Sequence, residues 1–461
     1  MRRPRIAALA LLVLVTGCAP LRRLEDHPPV NPDRALTIVG ANGQLSPAMS
    51  RKVLARLKGQ VAPTDILEKH SLLVEAVTGT PLVAGNLVTL LIDGPATYEA
   101  MFKALEAASS SINFETYIFE DDAIGKRFAE LLLRKRAAGV EVNLLYDSVG
   151  CMGTPAAFFQ RLRDGGVRAV EFNPVNPLKL RGHKWILTQR DHRKILVVDG
   201  RTVITGGINI SNVYTSSLSG LRFRRARGPQ IAKAWRDTDV QIEGPAVAEF
   251  QRLFLESWAR AQGPVSTVDF FPPLPAAGPD LIRVVGSTPG RENRFTYTMY
   301  VAAFTYAEKS IHLTTPYFVP DAQILTALTK AAERGVDVTL MVPGAKESVL
   351  NYYAGRSYFA GLLKAGVKIH VRRPDSMLHA KTAVIDGIWS TVGSTNMELL
   401  SFLNNDEVNA VILSRPFAAA LESTFQEDLK QAPAIRAEDW AKRPLLEKVR
   451  EWCSNLLGHW L

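Results

Sequence analysis

Cysteine is scarce, with three in 461 residues. After Cys18 only Cys151 and Cys453 remain, too far apart for a disulfide framework or a paired-cysteine zinc site. A single bond between them stays open in an oxidising compartment. Past residue 15 no unbroken apolar stretch reaches membrane-spanning length. The composition, 47% hydrophobic and 22% charged, lacks the bias of disordered chains and suits two ordinary cores. Net charge is the one marked excess, +10 at pH 7. A basic surface attracts phosphate whatever is attached to it, so charge alone does not choose between lipid and nucleic acid.

The opening MRRPRIAALALLVLVTGC has a basic start, an apolar run over Ile6 to Val15 and small residues before Cys18. Residues 1–17 read as a signal peptide, whose loss would leave about +7 because Arg2, Arg3 and Arg5 go with it. VTGC resembles the lipobox of bacterial lipoproteins, which makes Cys18 the expected lipidation site. An uncleaved anchor and an ordinary signal peptide are the alternatives. The body is then expected to be a soluble domain pair held at a membrane surface.

Residues 18–84 carry little signal. From about Gly85 onward, strands and amphipathic helices alternate: LVTLLIDG, then ATYEAMFKALEAA, SINFETYIF, AIGKRFAELLLRKRAAG and VEVNLLYD. This is the mark of a layered α/β domain. The order returns some two hundred residues on, where SIHLTTPYF matches SINFETYIF and AERGVDVTLMVP matches KRAAGVEVNLLYD. Duplication of so long a unit predicts two similar tandem domains, placed at 85–271 and 272–440. The proline-rich FFPPLPAAGPD serves as connector, and 441–461 forms an amphipathic C-terminal helix.

Each half ends in the same pattern. RDHRKILVVDGRTVITGGINIS contains His192, Lys194, Asp199, Gly206, Gly207 and Asn209; LHAKTAVIDGIWSTVGSTN contains His379, Lys381, Asp386, Gly393, Ser394 and Asn396. Both obey HxKx4D followed by glycine and asparagine. One HxK is weak evidence, since any strand places residues two apart on one face. Two copies at matching points of a duplication are strong. Packed about a pseudo-twofold axis, the halves would bring two imidazoles, two ammonium groups and two carboxamides to one cavity. Lys and Asn would hold phosphodiester oxygens, with Ser394 beside them, while the imidazoles do covalent and proton-transfer work. No carboxylate cluster stands beside the motifs, so neither metal nor other cofactor is expected. Asp199 and Asp386 complete the motifs and enter the catalytic set, although the DG that each begins also signals a supporting turn.

These segments resemble the HKD motifs of the phospholipase D superfamily. From Gly85 to the C-terminus the chain is similar to bacterial cardiolipin synthases, notably in INFETYIF, GGINIS, WRDTDVQIEGPAV and SFLNNDEVN. The resemblance implies a two-lobed α/β fold, mixed sheets flanked by helices, one shared active site and a phosphohistidine intermediate. It also implies His192 as nucleophile, His379 as general acid, and Asp237 and Glu407 as carboxylates orienting the imidazoles. The expected reaction is phosphatidyl transfer at a phospholipid membrane in the bacterial envelope, with anionic phosphatidylglycerol as substrate. A hydrolytic phospholipase D and an exported nuclease are the rivals; lipidation weighs against nucleic acid as partner. A non-catalytic lipoprotein would leave both motifs unexplained. One chain supplies both motifs, and its oligomeric state stays open. The sequence departs from the family after Asn396, where Glu398 and Leu400 replace the usual aspartate and arginine, putting the acceptor in doubt. LRFRRARG is a basic loop, solvated or drawn to headgroups. The C-terminal helix either packs on the domain or inserts at an interface. His183 and His312 have no motif around them.

Overall fold

The structure is a computed structural model and describes residues 24, 34–61, 64–176, 188–215, 235–290 and 294–456. Cys18, His183, the basic loop at 221–228 and the last five residues lie outside them.

The first half contributes β1 (Leu82–Ile92), α1 (Asp93–Ala107), β2 (Ser111–Thr116), α2 (Ala123–Ala137) and β3 (Glu141–Asp147). Next come α3 (Ala156–Asp164), β4 (Arg168–Phe172), β5 (Ile195–Val198), β6 (Thr202–Gly206), β7 (Thr238–Glu243) and α4 (Val247–Arg260). The second half repeats the plan. Its first elements are β8 (Asp280–Ser287), α5 (Phe295–Tyr306), β9 (Ser310–Thr314), α6 (Ala322–Glu333), β10 (Asp337–Pro343) and α7 (Val349–Arg356). Then follow α8 (Phe359–Lys364), β11 (Lys368–Arg372), β12 (Thr382–Ile385), β13 (Trp389–Gly393), β14 (Asn405–Leu413), α9 (Arg415–Leu429) and α10 (Leu445–Leu456).

Strand order is β4-β3-β2-β5-β6-β7-β1 in the first half and β11-β10-β9-β12-β13-β14-β8 in the second. In each, the three outer strands are parallel and the other four antiparallel. β1 pairs antiparallel with β8, joining the two into one sheet about the pseudo-twofold. β3 is buried along its whole length and β14 from Asp406 onward, polar residues included. Where the sheets face each other, Ile195, Val197, Val203, Val240 and Ile242 pack with Val384, Val392, Val408, Ala410 and Ile412. This shared core holds the halves as one body.

The N-terminal stretch has a defined place. Leu36, Ile38, Leu54, Leu57, Ile66 and Leu67 join the core of the second half, not the first. The connector, without helix or strand over 264–279, runs beside β1, where Ala277 N donates to Gly85 O at 2.8 Å. Cys151 is buried and Cys453 exposed; both are free thiols. Among the described residues no helix is long and apolar enough to cross a membrane.

Candidate active site

The site is assembled by two short backbone pairings that cross between the halves. Arg190–Asp191 runs parallel to Asn405–Asp406, and Trp235–Arg236 runs parallel to Met377–Leu378. His192 N donates to Asp406 O at 3.0 Å and His379 N to Arg236 O at 2.7 Å. Each histidine is thereby set beside the residue that continues the other half's strand: Glu407 for His192 and Asp237 for His379.

His192 Nδ1 lies 3.1 and 3.2 Å from the two Glu407 oxygens, and His379 Nδ1 lies 2.6 Å from Asp237 Oδ2. A carboxylate on Nδ1 fixes the proton there and leaves Nε2 to face the chemistry. Lys194 and Lys381 repeat one geometry, each Nζ donating to the carbonyl of its own motif histidine at 2.6 Å. All four side chains are buried, and each imidazole feels both ammonium groups.

The electrostatics follow from burial. Desolvation, reinforced by the lysines, lowers the pKa of His192 and drives that of His379 to about 3, against the pull of Glu407 and Asp237. Desolvation also lowers Lys194 to about 7 and Lys381 to about 8. Burial would raise the carboxyl groups of Asp237 and Glu407, but the neighbouring imidazoles and lysines outweigh it and hold both below their ordinary values. The site's own groups are therefore neutral imidazoles beside ionised carboxylates. Two ammonium groups that lose charge readily are suited to an anion that restores it. Among the described residues no three His, Cys, Asp or Glu side chains gather as a metal site would require.

Other residues from the motifs are placed differently from one another. Ser394 does not turn its hydroxyl to a substrate; Oγ donates to Glu407 Oε2, and Ser401 Oγ donates to Oε1 at 2.8 Å. Both serines steady the carboxylate. Asn209 accepts from Ile118 N at 3.1 Å and donates to Tyr214 Oη at 3.3 Å. Asn396 donates to Glu398 at 3.0 Å, while Leu400 presents no charge to that carboxylate.

Asp199 and Asp386 stand away from the chemistry, a correction to their placement in the catalytic set. Each follows a four-residue strand leading away from its histidine, roughly 20 Å off at strand rise. With φ of 52° and 53°, followed by Gly200 at 62° and Gly387 at 67°, they form the left-handed pair of a tight hairpin turn. Asp199 accepts the backbone N–H groups of Ser109, Ser110 and Ser111, each at 2.8 Å, plus the Ser109 hydroxyl. Asp386 does the same with Glu308, Lys309 and Ser310, and also accepts from Thr64. These aspartates tie a hairpin to the start of the neighbouring strand. His312 is likewise structural, bonded to Glu422 at 2.7 Å and stacked on Phe425.

Several residues around the site carry no motif of their own. Tyr214 Oη is 3.3 Å from His379 Nδ1, the Trp235 ring packs 4.9 Å from that imidazole, and Tyr117 meets His192 edge-on at 5.0 Å. Trp235 was findable beside Asp237 in the WRD tripeptide; Tyr214 had no signal beyond following GGINIS. Gly207 has a clear reason to be glycine, because a Cβ there would sit 2.2 Å from Asp237 Oδ1.

The comparisons with known proteins agree with this architecture. A family profile described as "Cardiolipin synthase, PLD-like domain" matches residues 101–218 and 300–429, one segment in each half. A cardiolipin synthase of a Geobacillus species is 34% identical over 389 residues, covering 84% of this chain and 74% of the relative. Cardiolipin synthase A of Pseudomonas putida is 36% identical over 366 residues, 78% of this chain and 72% of the relative. Among solved structures, the phosphatidylserine synthase of Haemophilus influenzae shares the fold with a TM-score of 0.60 at 14% identity, covering 84% of this chain and 98% of that one. With matches in both halves and more than 30% identity along most of its length, the chain belongs to the cardiolipin synthase family of phospholipase D-like proteins.

Proposed function

We propose that the protein is a phosphatidyltransferase that joins the phosphatidyl group of phosphatidylglycerol to an alcohol, forming cardiolipin and glycerol when the acceptor is a second phosphatidylglycerol. The observation that carries this reading is the crossed pairing of two imidazoles with two carboxylates around two buried ammonium groups. His192 Nε2 attacks phosphorus, and the bond from phosphorus to the departing glycerol oxygen breaks as that oxygen takes the Nε2 proton of His379. The acceptor hydroxyl then returns a proton to His379 while its oxygen displaces His192 from phosphorus. One P–O bond is broken and one formed, so no nucleotide is consumed. The diester's negative charge offsets the lysines and favours imidazolium at His379, the general acid of the first step. Lys194 and Lys381 stabilise the charge that grows on the equatorial oxygens.

Incubation of the purified protein with phosphatidylglycerol vesicles tests the reading by lipid mass spectrometry. Cardiolipin and glycerol support it. Phosphatidic acid as sole lipid product would mean that water, not alcohol, reaches the phosphoenzyme. We also propose that Cys18 is lipidated and holds the enzyme on the exported side of a bacterial membrane, motivated by VTGC after an apolar run. Mass spectrometry of the mature N-terminus decides this, since a chain without an acyl group there would refute the anchor.

A further inference from the structure

The helix α10 is turned inside out. Leu445, Leu446, Val449, Trp452 and Leu456 form one apolar stripe at helical spacing. A helix that docked by such a stripe would bury it. Here the five side chains are between 47% and 76% exposed, and the one residue of α10 that is buried is Glu451. Its carboxylate accepts from Arg443 Nη2 at 2.7 Å and Nε at 3.0 Å, and Arg356 Nε of α7 stands 3.6 Å away. Arg450 Nη1 donates to Tyr353 Oη, also on α7, at 3.3 Å. The helix is held to the protein by its charged side. Breaking a buried pair of this kind is costly, so the pairing fixes the stripe outward.

Apolar surface gathered in this way is unfavourable in water and marks a place where something else docks. The charges beside the stripe choose the partner. Glu447 is taken up by Arg450 and Glu451 by Arg443. The charges left over are Lys442 and Lys448, both exposed, and Lys448 stands at one margin of the apolar arc at 3.6 residues per turn. An apolar stripe carrying tryptophan with lysine at its edge matches the headgroup boundary of an anionic bilayer. A second copy docked on the same stripe would bring like charges together. At twelve residues α10 is too short to span a bilayer, so it would lie in the plane of the surface.

The position of the helix connects that surface to the chemistry. α10 packs on α7, and Asn351 of α7 donates to Glu398, which also accepts from Asn396 of the second motif. The stripe is thus one helix removed from the catalytic motif.

We propose that the outward stripe of α10 lies in the headgroup layer of an anionic phospholipid bilayer and seats the enzyme on the membrane from which it draws substrate. The choice of lipid as partner rests on the phosphatidyl transfer proposed above. A single acyl chain holds a protein to a membrane only marginally, and α10 supplies a second contact.

A local reporter on the full chain tests this surface. Cys453 is an exposed thiol on α10 whereas Cys151 is buried, so an NBD fluorophore attached at Cys453, its position confirmed by digestion, reports the surroundings of the helix whether or not an acyl anchor is present. On vesicles of equal parts phosphatidylglycerol and phosphatidylcholine its emission should shift to the blue and be quenched by nitroxide-labelled lipid. On phosphatidylcholine alone the shift should be weaker. Leu446→Glu combined with Val449→Glu changes two exposed positions. The pair should abolish the shift and lower transfer from phosphatidylglycerol vesicles about tenfold. Phosphoenzyme formation from a soluble nitrophenyl phosphodiester should stay within about twofold. An unshifted emission on phosphatidylglycerol vesicles, or vesicle transfer by the double variant within about twofold of the unmodified chain, would overturn the proposal. So would a shift that needs no vesicles and grows with protein concentration, which would mean that a second copy covers the stripe. A label that inserts in a chain forming no cardiolipin would support the surface and overturn the transfer reading instead.

Discussion

Replacing Asp237 by asparagine is the sharpest test of the crossed pairing, because the structure dictates how the amide must sit. Asp237 Oδ1 accepts the backbone N–H of Thr238 at 2.8 Å, and Oδ2 accepts from His379 Nδ1 at 2.6 Å. The backbone donor is fixed in place, so the oxygen of the introduced amide has to serve Thr238 and its NH2 turns to the imidazole. Shape is preserved, and Gly207 leaves the same room. An NH2 facing Nδ1 forces that nitrogen to accept, which moves the ring proton to Nε2 and removes the base that the acceptor alcohol needs. The same tautomer error in a serine protease triad costs about 10⁴ in rate, or about 5 kcal/mol at roughly 1.4 kcal/mol per decade. Asp237→Asn should therefore lose about 10⁴ in glycerol transfer. With a nitrophenyl phosphodiester, whose leaving group needs no proton, the adduct on His192 should still form within about tenfold of the normal rate. Acid quench and digestion locate and quantify it. Glycerol transfer retained within tenfold, or equal losses in both steps, would refute the reasoning.

Three further outcomes follow from the geometry. Lysine charge is present below its pKa and lost above it, so kcat/KM for an anionic diester should fall as pH rises through about 7 and 8, the values to which burial lowers Lys194 and Lys381; a profile flat to pH 10 would contradict their role. Asp199→Ala removes bonds to three backbone N–H groups and leaves a left-handed residue without its polar anchor, so it should lower unfolding free energy by about 2 kcal/mol while folded protein still forms the phosphoenzyme. Denaturant titration beside adduct yield separates the two effects. Transfer should survive excess chelator, since among the described residues no three His, Cys, Asp or Glu side chains gather as a metal site would require; loss restored only by a divalent ion would reject the histidine mechanism.

How much of this was legible in the sequence depends on the range over which each feature acts. The duplication and both HxKx4D segments were visible because strand and helix periods are local. The turn role of Asp199 and Asp386 was written in the DG that each begins. The crossing was not, because His192 and Glu407 are 215 residues apart and His379 and Asp237 142. Resemblance named the carboxylates but not the pairing that brings each to the opposite half. Ser394 misled for a related reason: it neighbours Asn396 in sequence, yet the fold turns its hydroxyl to Glu407. The stretch before residue 85 looked uninformative because its apolar residues find their partners in the second half. Tyr214 reaches His379 by a short helical turn, Asn212–Tyr214, that no pattern announced.

The crossing has a consequence for charge that neither half could produce alone. Below about pH 7, where burial keeps Glu398 protonated, the site's own groups comprise two ammonium groups, two carboxylates held below their ordinary values and two imidazoles held neutral. Those charges cancel. Burial is tolerable only when such ions are paired, which opposes adding a further proton to either imidazole and agrees with His379 standing near 3. A phosphodiester brings one negative charge, and the least costly compensation is one proton on one imidazole. Substrate thus loads the acid that its own leaving group requires. A single half would have its lysine and histidine without the facing carboxylate, because Glu407 and Asp237 each serve the other half's imidazole. The fused sheet through β1 and β8, and the short strands that cross beside it, are what bring these charges into balance.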